Sequence, residues 1–235
     1  MDTTIEQHPT HFRVTDVRKQ YRKKGDPVLQ DIQFEAKHGQ CIGILGANGC
    51  GKSTLLSILA GTMPADGGTM DIEGKTYSLR RETAIPEIGY IPQENPLIEE
   101  LSALDNLKLW YCNSKLNLTE ELRDGVLARL GIPAFLSTPV NQMSGGMKKR
   151  LSIGCSVANN PKILLMDEPG AALDLQCKEL IASYIQTCLS QKKIILVATH
   201  EEREIALCDK AFILKGGKLT PFTYDGDIKK LAQML

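Results

Sequence analysis

The sequence predicts an α/β fold in which a mainly parallel sheet is flanked by helices, with a β-rich part at the N-terminus and a helical insertion in the middle. Three observations predict it. Short apolar runs recur at 41–45, 163–166, 194–198 and 211–214, and such runs fit strands buried on both faces. Helical patterns lie between them, as in a parallel sheet covered by helices. Residues 102–112, 119–130 and 144–159 have helical spacing and few β-branched runs, which places a group of helices between strands.

The elements follow in order. Phe12, Val14 and Val17 begin a strand, and the charged turn Arg22-Lys23-Lys24-Gly25-Asp26-Pro27 follows it. Ile32, Phe34 and Ala36 alternate with polar residues, as in a strand with one solvated face. Cys41-Ile42-Gly43-Ile44-Leu45 is almost wholly apolar, and a helix is expected from Ser53 to Ala60. After Gly216 a strand-like stretch is followed by an expected helix from Asp227 to Leu235. The expected organisation is one domain over 1–235: residues 1–93 and 161–235 form the core, and 94–160 form the inserted helical part.

Composition bounds the function. At 235 residues the chain is long enough for one to two domains. With 42% hydrophobic and 24% charged residues it can build a packed core. Lys plus Arg number 28 and Asp plus Glu number 28, so nucleic acid binding through overall charge is not expected. No apolar run approaches the roughly 18 residues of a spanning helix, and MDTTIEQHPTHF lacks a basic stretch followed by an apolar one. A cytoplasmic location is therefore expected, with room for peripheral attachment to a membrane complex. The seven cysteines form no CxxC pair and read as scattered reduced thiols.

Gly46-Ala47-Asn48-Gly49-Cys50-Gly51-Lys52-Ser53 matches the phosphate-loop pattern Gly-x-x-x-x-Gly-Lys-Ser/Thr, between a buried strand and a helix. Glycines let the backbone curl so that several N–H groups converge on phosphate oxygens. The helix N-terminus adds partial positive charge. Lys52 brings an ammonium to the β- and γ-phosphates, and the Ser53 hydroxyl suits Mg²⁺. Thr54 completes the expected nucleotide-binding set. Cys50 is either a small residue that fits the loop or a thiol whose alkylation blocks nucleotide.

Ile163-Leu164-Leu165-Met166-Asp167-Glu168 is an apolar strand that ends in two carboxylates. In an open α/β sheet that end faces the ligand. Asp167 is expected to hold the metal through its water shell, and Glu168 to polarise an attacking water as general base.

Ser144-Gly145-Gly146-Met147-Lys148-Lys149-Arg150 precedes a helix, and Asp167 follows 23 residues after Ser144. With the phosphate loop, Gln93 in Tyr90-Ile91-Pro92-Gln93-Glu94, Leu173-Asp174 and His200, these motifs stand in the order found in the ATP-binding subunits of ABC transporters, and the chain resembles that family from about Val14 to Leu219. The resemblance implies a P-loop NTPase core with a mainly parallel sheet, an N-terminal antiparallel β subdomain and an inserted α-helical subdomain. It implies ATP and Mg²⁺ as ligands, with Ser53, Gln93 and Asp167 on the metal side. It also implies a head-to-tail homodimer, or a heterodimer with a related ATPase subunit, formed on ATP binding. In that dimer Ser144, Gly145 and Gly146 approach the γ-phosphate bound by the other chain.

The family likeness assigns Gln93 to the metal and water, His200 to the γ-phosphate and water, and Asp174 to a link between the two sites. Tyr21, 25 residues before Gly46, stands where the family places an adenine-stacking aromatic; alternatively it is a surface or core aromatic. Met147 replaces the usual glutamine of the signature, and Ala171 stands where a small polar residue is common, which removes a cross-dimer hydrogen bond. Lys148-Lys149-Arg150 reads by default as the solvated face of a helix.

The implied function is an ATPase that powers transport, with export favoured over import, through integral membrane subunits on the cytoplasmic face. The helical insertion is expected to carry their docking groove. The alternative is a stand-alone soluble ABC ATPase acting in macromolecular or cluster assembly. No nucleic acid partner is expected.

Overall fold

The computed structural model describes residues 11–22 and 25–226. The expected helix from Asp227 to Leu235, and Lys23-Lys24 of the charged turn, lie outside the described residues.

Two sheets organise the chain. The first is antiparallel, in the order β2-β1-β4-β5, from β1 (Phe12–Lys19), β2 (Leu29–Ala36), β4 (Gly67–Ile72) and β5 (Lys75–Ser78). The second runs β10-β9-β3-β8-β7-β6. Its members are β3 (Cys41–Leu45), β6 (Ile88–Ile91), β7 (Ile163–Asp167), β8 (Ile194–Ala198), β9 (Lys210–Lys215) and β10 (Lys218–Phe222). All its pairs are parallel except β9–β10.

The apolar runs are central strands because both faces are covered. Side chains alternate across a strand with period two. On β7, Ile163 and Leu165 therefore enter one core, while Leu164 and Met166 enter another. The first core is closed by α1 (Lys52–Leu59) and the antiparallel sheet; Leu55, Leu56, Ile58 and Leu59 of α1 are fully buried there. The second is closed by α2 (Ala103–Tyr111), α4 (Val126–Arg129), α5 (Gly145–Ser156) and α6 (Leu175–Ser190).

The structure departs from the sequence expectations in three places. β4, β5 and β6 are strands it did not single out: β4 opens on Gly67-Gly68, β5 is mostly exposed, and β6 is short and contains Gly89. The helix expected over 119–130 is two, α3 (Leu118–Arg123) and α4, because Glu121 turns its carboxylate onto the Val126 N–H (2.8 Å) and caps the second one. Lys148-Lys149-Arg150 is not a solvated face. Lys149 is buried, Lys148 pairs with Glu99 (3.2 Å), and Arg150 donates to the Gly146 and Leu130 carbonyls and lies over the Phe135 ring.

β6 meets α5 closely. The Ser156 hydroxyl donates to the Tyr90 carbonyl (2.8 Å). A Cβ on Gly89 would lie 2.7 Å from the Pro161 ring and 2.8 Å from the Ser156 carbonyl oxygen. Neither atom is the end of a flexible side chain, so Gly89→Ala is expected to cost about 2 kcal/mol through overpacking. Urea denaturation checks this; an unchanged midpoint would show that β6 can move away from α5 freely.

Candidate functional site

Four adjacent parallel strands end on the same side of the second sheet. β3 runs into Gly46 and the phosphate loop, β8 into Thr199-His200, β7 into Asp167-Glu168, and β6 into Pro92-Gln93. Their register is aligned: Ile44 faces Ala198, and Ala198 faces Asp167. Carboxyl ends of strands in such sheets are where ligands bind.

A cavity of about 520 Å³ lies at these ends, lined by Tyr21, Val28, Asn48, Gly49, Gly51, Lys52, Ser53, Thr54, Gln93 and Glu168. The loop backbone explains its glycines. Gly49 and Gly51 have φ of 80° and 111°, and Gly51 immediately precedes α1. A Cβ on Gly46 would collide with Cys50 Sγ and the Leu214 carbonyl. Cys50 is thus a half-buried packing neighbour of Gly46, within the same loop.

Three side chains converge on Glu168. Lys52 Nζ lies 3.7 Å from Glu168 Oε1, His200 Nδ1 lies 3.8 Å from the same oxygen, and Gln93 Nε2 donates to Oε2 at 3.2 Å. Lys52 Nζ also donates to the Gly46 carbonyl (2.8 Å). Glu168 itself has φ 45° while its N–H donates to the Ala198 carbonyl (2.8 Å). A left-handed conformation at a non-glycine residue is strained, and such strain concentrates at functional sites.

Asp167 is buried, and its Oδ1 finds no hydrogen-bond partner among the described residues. Burial raises its pKa, aided by Glu168; the Ser53 hydrogen bond, Lys52 and Lys149 oppose the rise. An orphaned carboxylate oxygen beside a hydroxyl is a hard oxygen donor set, which fits Mg²⁺.

The remaining motif residues fall into two places. Tyr21 is exposed at the cavity rim, with its hydroxyl 3.0 Å from Thr54 Oγ1. Ser144, Gly146 and Asp174 line a separate cavity of about 150 Å³ together with Arg150 and Cys177. Ser144 caps α5 by accepting from the Met147 N–H (3.3 Å), and Asp174 caps α6 by accepting from the Cys177 N–H (2.8 Å). Gly145 is the first residue of α5. Met147 packs against the helical core instead of offering an amide. One chain therefore keeps its phosphate loop and its signature apart.

The sequence reading missed two buried residues beside the site. Lys149 donates to the carbonyls of Pro92 (2.9 Å) and Gln93 (3.0 Å). Glu204, on α7 (Glu202–Ile205), is buried beside Thr199 and Gly170.

This arrangement defines the class first: a phosphate-loop nucleotide-binding protein. The comparisons with known proteins narrow it. The family described as ABC transporter matches residues 29–171. The Nod factor export ATP-binding protein I of Sinorhizobium fredii (strain NBRC 101917 / NGR234) is 36% identical over 212 residues, covering 88% of this chain and 61% of that protein. The chain thus spans less than two thirds of that relative's length. The linearmycin resistance ATP-binding protein LnrL of Bacillus subtilis (strain 168) is 31% identical over 211 residues, covering 88% of this chain and 67% of that protein. Among solved structures, a dimeric ATP-binding cassette in a post-hydrolysis state bound to ADP and Pi superimposes with TM-score 0.79 at 25% identity, covering 92% of this chain and all of that one. An ATP-binding subunit of an ABC transporter superimposes with TM-score 0.77 at 26% identity, covering 95% and 94%. The chain belongs to the ABC transporter family, and its fold is that of the ATP-binding cassette.

Glu204 supplies a pH prediction. Burial pushes its carboxyl up from 4.5 to about 7, Glu201 adds to the rise, and the Thr199 and Gly170 hydrogen bonds and Lys178 oppose it. A raised carboxyl binds its proton more tightly in the folded chain, so stability falls as pH rises from about 4.5 to about 7. Relative to Glu204→Gln, the wild type is expected to lose up to about 3 kcal/mol between about pH 5 and pH 8. Urea denaturation at both pH values checks this; a difference independent of pH would contradict a buried neutral acid.

Proposed function

We propose that the chain is an ATPase subunit that powers transmembrane transport, in the export direction, through a separate membrane-spanning subunit. The observation that carries the catalytic part is the convergence of Lys52, Gln93 and His200 on one carboxylate at the mouth of the phosphate-loop cavity. The convergence of a cation, an amide and an imidazole on an acid suits in-line attack of water on a γ-phosphate, where positioning and electrostatics do most of the work.

In this reading the backbone N–H groups of Gly49 to Ser53 and the N-terminus of α1 cradle the phosphates. Lys52 neutralises the β- and γ-phosphates, and Tyr21 stacks on the adenine at the rim. Asn48 and Thr54 complete the pocket wall, and Cys50 belongs to the loop behind it as a packing neighbour of Gly46. Glu168 accepts a proton from the attacking water, while Gln93 and His200 orient that water. Ser53, Asp167 and Gln93 would hold Mg²⁺, which would supply charge neutralisation of the phosphates.

Half of this site is missing from any one chain, because Ser144, Gly146 and Asp174 line a different cavity, with Gly145 at the start of α5 between them. The reading therefore pairs two chains head to tail, so that each signature meets the phosphate bound by the other. The α5 N-terminus presents backbone N–H groups and the Ser144 hydroxyl to the anion. Two identical chains form two complete sites, since Glu168 and His200 are both present; a related ATPase subunit is the other partner the reading admits.

The transport part rests on the family, on the relatives named for Nod factor export and linearmycin resistance, and on an apolar groove. That groove, about 760 Å³, runs between the ATPase core and the helical part past Ile85, Tyr90, Pro96 and the exposed Trp110. It is the proposed seat of the membrane subunit. Among the described residues no helix is long and apolar enough to cross a membrane; the reading places this chain on the cytoplasmic face from the family likeness. Copurification with a soluble assembly scaffold, and not with a membrane protein, would refute the docking claim.

Glu168→Gln is expected to keep ATP binding, to lower turnover by about 10²–10⁴-fold, and to accumulate an ATP-bound dimer on gel filtration. Wild-type turnover in that variant would remove Glu168 from the role of base. Lys52→Ala is expected to weaken ATP binding by at least about tenfold through the lost charge-assisted contact. Unchanged affinity by calorimetry would contradict the phosphate-loop reading.

A further inference from the structure

We propose that Lys149 is a positioning residue that ties the signature helix to Gln93, so that the state of the signature is felt at Glu168 in the same chain. The proposal rests on the ATPase reading above and adds a mechanical link to it.

The location is unusual for a lysine. It sits in the second turn of α5, five residues from Ser144 and so about 7.5 Å along the helix axis. Only 4% of its surface is exposed. A buried ammonium is costly unless its donors are matched. Two of its three donors go to consecutive backbone carbonyls, Pro92 (2.9 Å) and Gln93 (3.0 Å), which lie more than fifty residues earlier in the chain. Burial lowers its pKa, and the buried acids Asp167 and Glu204, with Cys177, favour the charged form. The cation is thus held by the two carbonyls of the Gln93 loop, and the acids at the end of β7 and on α7 favour its charge.

The next residue anchors the same helix on its other side. Arg150 reaches the Leu130 carbonyl (3.2 Å) and the Phe135 ring. α5 is thereby pinned to the helical part by Arg150 and to the ATPase core by Lys149. From Lys149 the connection to chemistry is short: it holds the Gln93 backbone, and the Gln93 amide donates to Glu168 Oε2 (3.2 Å). Movement of the Ser144 turn when it meets a phosphate would pull on Gln93 through one rigid helix and two hydrogen bonds. An apolar residue at 149 would fill the same space without holding the loop.

The test compares Lys149→Met, Lys149→Arg and the wild type by amide hydrogen exchange, without nucleotide. Lys149→Met is expected to speed exchange of Leu97 and Ile98, whose N–H groups donate to Asn95 and Asn106, by at least about tenfold, through loss of two charge-assisted hydrogen bonds that fix the start of the loop, with β3 and α1 unchanged. Lys149→Arg, which keeps charge and donors, is expected to restore protection. Should Lys149→Met not fold, Lys149→Gln, neutral and shorter, carries the same comparison. Steady-state kinetics form the second arm. Lys149→Met is expected to lower kcat about tenfold with KM for ATP within about twofold, and to add no further loss in a Gln93→Ala background. Unchanged exchange at Leu97 and Ile98 overturns the tether, and multiplicative losses in the double variant overturn its service to Gln93. A wild-type chain that binds ATP without turnover would refute the ATPase reading instead, and the exchange arm would still decide whether Lys149 holds the loop.

Discussion

The site depends on one structural constraint: the parallel register of β3, β8, β7 and β6. Because Ile44, Ala198 and Asp167 lie in one row, the phosphate loop, His200, Glu168 and Gln93 all emerge from the same edge. A slip of one residue would send every side chain of a strand to its other face. On β7 it would exchange the residues of the two cores and turn Asp167 away from Ser53. Such a slip is resisted because alternate residues of β7 fill two distinct cores. The hydrophobic burial that stabilises the fold therefore also aligns the charged groups.

The groups so aligned are poor contributors to stability. Glu168 adopts a left-handed backbone, Asp167 keeps a carboxylate oxygen without a partner, and Glu204 and Lys149 are buried where burial disfavours their charge. Asp167 and Glu168 stand at the end of β7, Glu204 follows β8, and Lys149 reaches the loop after β6 from α5. Strain and orphaned polar groups persist where the surroundings over-determine them. Here the surroundings are α5 and α6 on one side and the buried sheet on the other. The proposed metal offers the missing partner for the Asp167 carboxylate oxygen, and the proposed triphosphate offers Lys52 an anion besides Glu168.

Much of this was legible in the sequence, and the limits have physical causes. The central strands and the phosphate loop are contiguous signals: an apolar run followed by a glycine-rich turn can be read without knowing any distant contact. Asp167-Glu168 is legible for the same reason. β4 and β6 were not, because glycines interrupt their apolar pattern and the strands that pair with them, β1 and β7, lie far away in sequence. Lys149 was misread because a run of three cations resembles a solvated helix face, and its acceptors are backbone carbonyls that no residue type announces. The convergence on Glu168 joins four segments, so motif order suggested it and only the fold brings it together.

The central claim is that each catalytic centre needs the phosphate loop of one chain and the signature of another. Mixing two crippled chains tests it most directly: Lys52→Ala, which loses the phosphate grip, and Ser144→Arg, which blocks the signature. Each alone should show no ATP turnover. Mixed in equal amounts, they should recover turnover, because one of the two centres in each mixed pair keeps an intact loop and an intact signature. Ser144→Arg alone hydrolysing ATP at the wild-type rate, or no recovery on mixing when mixed pairs are shown to form, would contradict the account.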